Sequence, residues 1–164
     1  MQKDYLMRMI EQAIAGLVAI VVKADSGQFQ QAKKDFNQTC RDTIGLDLDT
    51  IKSLSPDTVA NLLKDSGSLR FTRSVVLAEI LLYDAEVQER HDRSIFPLVN
   101  FVHAFCLLSD SISVLSHDDE ARYRLKLDHL ALRLESFKDM PQLSERFTRY
   151  IDWNTAQQDA AANP

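Results

Sequence analysis

The sequence predicts an all-α domain, and three observations carry that prediction. Apolar residues recur at three-and-four spacing in one segment after another, and no segment alternates apolar with polar as a half-buried strand does. Only 4 Gly and 4 Pro punctuate the 164 residues, which leaves room for a few long elements. Hydrophobic residues make up 45% and charged residues 26%, enough for a packed core and too apolar for disorder. Long helices joined by short breaks pack as antiparallel hairpins, so the expected architecture is a helical array or bundle. One domain is expected over residues 1–154, since roughly 100–200 residues is the usual domain size. Residues 155–164, "TAQQDAAANP", lack apolar anchors and read as a frayed or disordered tail.

The first helix is expected over residues 4–23. Leu6, Ile10, Ala13, Leu17 and Ile20 form one stripe, and Met9, Ile14, Val18 and Val21 widen it. Asp4 suits the positive end of the helix dipole and Lys23 the negative end. A second, more polar helix over residues 28–44 carries the narrow stripe Phe29, Ala32, Phe36, Cys40 and Ile44. Gly45 follows where a left-handed cap is wanted, and Leu46 closes over it. "LDLDTIKSLSPDTVANLLKDSG" holds two short helices. Asp47 or Asp49 can cap the first, Ser55-Pro56 opens the second, and Val59, Leu62 and Leu63 face inward.

The long helix over residues 69–90 has almost no polar face at its centre, "VVLAEILL", and is expected to be covered on two sides. "SIFPLVNFVHAFCLLSDSISVL" reads as another nearly all-apolar helix, capped by Ser94 with Pro97 in its first turn. Ser116 caps the next helix, which starts with the acidic run Asp118-Asp119-Glu120 and carries the stripe Tyr123, Leu127, Leu130, Leu134 and Phe137. Glu120–Arg124 and Arg124–Asp128 stand four apart and can pair on its wet face. Pro141 is expected to open a last short helix with Leu143, Phe147, Tyr150 and Ile151, anchored by Trp153.

Two stretches resemble a family of small bacterial proteins classed as a domain of unknown function: "DYLMRMIEQ" near the start and "GLDLDTIKSLSPDTVANLL" some forty residues later. Between them, "SGQFQQAKKDFNQTCRDTIGLD" is similar to a helix of a tetratricopeptide-like repeat, with Ala32 at the small-residue position. A regular 34-residue period is absent. The resemblance spans roughly residues 4–135. It implies an all-helical, repeat-like cytoplasmic protein and carries over no catalytic residue.

Composition narrows function by exclusion. Net charge is −5, and acids stand beside nearly every basic cluster, Arg70/Arg73, Arg122/Arg124/Lys126 and Arg146/Arg149 included. No nucleic-acid partner is expected, because that footprint gathers basic residues on one face. The apolar run of residues 13–22 is half the ~20 a membrane span needs. Asp4 and Glu11 intrude where a signal peptide would be positive, so neither membrane nor secretion is expected. Cys40 and Cys106 stand inside apolar helical patterns and read as reduced core thiols of a cytoplasmic protein.

No metal and no cofactor are expected. His91 and His129 lack a two-ligand spacing, and His117 belongs to an acidic helix start. No activated nucleophile or phosphate loop is recognisable, so the protein reads as non-enzymatic. The least expected polar residues are Glu79, Asn100 and His103, each interrupting an apolar run. They form either a buried polar tie, in which His103 or Asn100 on a neighbouring helix partners Glu79, or the walls of a small-molecule pocket. The leading expectation is a protein-protein interaction module. Three helices apolar on nearly all sides are hard to enclose in one chain, which predicts a homodimer with Met7, Met9, Ile14, Val18 and Val22 at its interface.

Overall fold

The computed structural model describes residues 2–163, without the side chains of residues 2–4, 6 and 68. Among the described residues there are eight α-helices and no strand. They are α1 (Gln2–Asp25), α2 (Phe29–Ile44), α3 (Leu48–Ser53), α4 (Pro56–Lys64), α5 (Arg70–His91), α6 (Leu98–Ser111), α7 (His117–Leu134) and α8 (Ser144–Ala162). The all-α prediction holds.

The helix ends follow local chemistry. After α2, Gly45 adopts φ 95°, and its N–H donates to the Arg41 carbonyl. The Ser55 hydroxyl accepts from the Thr58 N–H at the start of α4, with Pro56 in the first turn. The Ser116 hydroxyl likewise accepts from the Asp119 N–H, 3.4 Å away, at the start of α7. Ser94 does not cap α6. Its N–H and hydroxyl donate to Asp92 in the preceding turn, and α6 starts only after Pro97. Pro141 sits in a turn, and the last helix runs from Ser144 for 19 residues instead of being short. Residues 155–162 continue that helix and are exposed.

The core is built on α5 and α6. α5 packs against α1, α2, α4 and α6, and α6 also meets α3, α7 and α8. Residues 74–81 and 100–108 are buried without interruption, the polar Glu79, Asn100 and His103 included. α2 buries Ala32, Phe36 and Cys40, and α7 buries Tyr123, Leu127, Leu130 and Leu134, the stripes read from the sequence. Phe137 leaves its stripe for a 3-10 turn after α7, and Leu62, expected inward, is 44% exposed on α4.

α8 is tied to α7 by polar contacts on the half-buried side. The Tyr150 hydroxyl donates to Asp128, and the Arg124 Nε donates to Asn154 at 2.8 Å. Arg124 therefore points at α8 and over the Trp153 ring, in place of the expected pairs with Glu120 and Asp128. Trp153 itself packs against the core, as an anchor should.

Candidate functional site

α1 buries one side only. Ile10, Leu17, Ile20 and Val21 reach the core, with Ala13 and Ile14 packed at its edge. The Leu6 side chain and the Asp4 carboxylate lie outside what the structure describes. On the other side Val18 and Val22 are 45% and 62% exposed, and Ala15, Gly16 and Ala19 are exposed beside them. Residues 15, 18, 19 and 22 share one helix face. No charged residue falls between positions 13 and 22, so this outer face is small and apolar.

Gly16 adds to that picture. A Cβ at this position would meet nothing within 4 Å, so the chain's own packing does not require glycine there. Glycine inside a helix costs about 1 kcal/mol relative to alanine. Small residues at 15, 16 and 19 leave a second helix room to approach the backbone closely.

Of the five residues expected at an interface, Val18 and Val22 stand on this face. Met7 lies on the same side, about three turns earlier, and is half-buried. Ile14 packs against the core. Met9 is about two and a half turns from Val18, on the opposite side of the helix, so one partner cannot meet both.

Glu79, Asn100 and His103 are all buried, at 1%, 1% and 3% exposure, yet the fold does not bring them together. Glu79 pairs with Lys126 of α7, Nζ to Oε1 2.5 Å, and not with His103. Its second oxygen and the buried Tyr123 hydroxyl have no hydrogen-bond partner. Burial first, and then the charge of the Glu79 carboxylate, pushes the Tyr123 hydroxyl above its ordinary range.

Asn100 belongs to a different cluster. Its side-chain amide donates to the Leu81 carbonyl and to Asp84, each at 2.8 Å. The same Asp84 oxygen accepts from Gln88 at 2.7 Å and from Lys52 at 3.0 Å. Asp84 escaped the sequence reading, although a signal was present. It stands three residues after Leu81 and four before Gln88, which is the spacing of one helix face.

His103 faces the junction of α3 and α4, in a cleft of about 390 Å³ that also holds Leu54 and Pro56. Desolvation, with a smaller push from Lys52, holds its pKa below the ordinary histidine range, and contact with the Leu54 backbone opposes this. The remaining histidines do no shared work: His91 stacks on Phe29 with ring centroids 3.7 Å apart, and His117 and His129 are exposed on α7. Among the described residues no three His, Cys, Asp or Glu side chains gather as a metal site, and no helix is long and apolar enough to cross a membrane.

Both cysteines are buried and free, and burial pushes each thiol up to about 12. They stay protonated and poorly nucleophilic.

Comparison with protein-family models, with curated proteins and with solved structures returned no match.

Proposed function

We propose that this chain is a non-enzymatic helical interaction module that pairs with a second copy of itself, and meets protein partners, through exposed helix surfaces. The observation that carries this reading is the bare apolar face of α1, where Ala15, Val18, Ala19 and Val22 lie together in solvent. Apolar faces of this kind are normally covered, and two-fold homodimers are the commonest soluble assembly. A glycine kept at position 16 without an intramolecular reason suits close helix–helix contact. The likeness of the opening residues to small bacterial helical proteins is in keeping with such a module. Two buried, unreactive thiols suit a reducing cytoplasm.

The test is the mass in solution. Light scattering at micromolar concentration should return twice the 18.7 kDa of one chain. Val18→Glu, which places a charge in the middle of the face, should return a single chain with an unchanged helical spectrum. A wild-type monomer across that concentration range rejects the pairing.

A further inference from the structure

We infer that the cleft between α4 and α8 is a binding site for the phosphate group of a small phosphorylated molecule. The cleft has a volume of about 590 Å³ and is walled by α4, the start of α5, the end of α6 and α8. That size is ordinary for a small-molecule site.

The fold gathers cations here that the sequence scatters. Lys64 comes from α4, Arg70 from α5, and Arg146 and Arg149 from α8. Arg146 is the fixed member. Its side chain is 13% exposed, and its guanidinium is held by Asp57 at 2.9 Å and by both oxygens of Asp110 at 3.1 Å. Those two carboxylates are committed to Arg146.

The other three cations lack such partners. Among the described residues no carboxylate lies within ion-pair distance of Lys64 or Arg70, and α5 has no acid in its first turn to offset Arg70. Arg149 has only Glu145, 4.0 Å away with both groups exposed, a pair that contributes little. Four cations against Asp57, Asp110 and the exposed Glu145 leave a net positive charge in one concavity, on a chain whose net charge is −5. That local inversion attracts a dianion, and guanidinium groups match phosphate oxygens in geometry as well as charge.

The rest of the wall sets the class of ligand. Ser113 and Asn61 offer neutral hydrogen-bonding groups beside the cations, the Ser109 hydroxyl being given to the Cys106 carbonyl, and Trp153 and Ile112 supply apolar surface. The Tyr150 hydroxyl is already given to Asp128. A phosphate on a compact organic body uses both halves of this wall. A bare inorganic ion uses only one.

Trp153 is the chain's single tryptophan, so its emission reports on this cleft. The test titrates the whole chain with AMP and with pyrophosphate, at fixed ionic strength, and uses adenosine as the uncharged control. A saturable change in Trp153 emission with AMP, at lower concentration than with pyrophosphate and absent with adenosine, is expected. The double variant Lys64→Gln/Arg70→Gln should weaken binding by about tenfold or more, the loss expected for charge-assisted contacts. Both positions lie outside the buried core, so the circular dichroism spectrum should not change. No saturable change with AMP, an equal response to adenosine or to pyrophosphate, or undiminished affinity in a folded double variant each overturns the assignment.

Discussion

As strings of letters, "AIAGLVAIVV" of α1 and "SVVLAEILL" of α5 look alike, and both read as helix centres apolar on every side. In the fold, every residue of the α5 stretch is buried except the half-buried Leu82, whereas α1 leaves Ala15, Val18, Ala19 and Val22 exposed. The difference comes from neighbours and not from composition. α5 is met by α1, α2, α4 and α6, while the main packing of α1 is against α2 and α5. A helix at the side of a bundle has one direction to bury, so apolar residues beyond that direction are surplus to the chain's own core. Surplus of this kind is what a second molecule can cover.

The largest expected effect separates the two helices by stability. Leu81→Ala in α5 opens a cavity at a fully buried position and should lower the unfolding free energy by about 2–5 kcal/mol. Val22→Ala in α1 removes groups already in solvent and should change it by no more than about 0.5 kcal/mol at low protein concentration. Urea unfolding of the two variants under the same conditions makes the measurement. Comparable losses would erase the distinction between a sealed and an open helix.

Next in size is the polar side of α5. Lys126→Met leaves the buried Glu79 carboxylate without its ion partner, which should cost about 1–3 kcal/mol, less than a fully buried pair because Lys126 remains 31% exposed. A double-mutant cycle on Glu79 and Lys126 should show coupling above about 0.5 kcal/mol, and one on Glu79 and His103 should be additive. The reverse ranking would restore the tie that the sequence alone suggested.

That tie shows where the sequence was legible and where it stopped. Period and punctuation are local, so the stripes of α2 and α7, the Gly45 cap and the Ser55 and Ser116 caps could all be read from spacing. That Glu79, Asn100 and His103 are buried was equally legible, because each interrupts an apolar run. Which partner each meets is not local. Lys126 lies 47 residues from Glu79 and Lys52 lies 32 from Asp84, and only the packing of α7 and α3 onto α5 and α6 brings them close. The cleft that gathers Lys64, Arg70 and Arg149 was invisible for the same reason: α8, more than seventy residues beyond Arg70, packs beside α4 and the start of α5 to close it. Ser94 misled because Asp92, two residues earlier, competes for its hydroxyl.

A smaller effect distinguishes α6 from both. Burial holds the His103 pKa below its ordinary value, so the folded chain keeps the ring neutral while the unfolded chain takes up a proton near pH 6.5. The stability this neutrality supports is fully present above that pH and is lost as pH falls through it towards the folded value. The urea midpoint should therefore drop between pH 7 and pH 5, and His103→Gln, which cannot titrate, should show a shallower drop. Parallel pH profiles would mean that His103 is not held neutral.

The smallest change returns to α1 and tests its open side without adding charge. Gly16 is helical and exposed, and a methyl group there would touch nothing in its own chain. Gly16→Ala should raise the stability of the dilute chain by about 0.5–1 kcal/mol, because alanine loses less backbone freedom on entering a helix. If α1 docks closely on a second copy, the same methyl group crowds the contact and weakens pairing. Wild-type stability should then rise with protein concentration by mass action, and that of Gly16→Ala should rise less. The two curves should converge or cross as concentration increases. A constant gain at every concentration would mean that nothing approaches Gly16, and the open face of α1 would have to be covered by something other than a second copy packed against it.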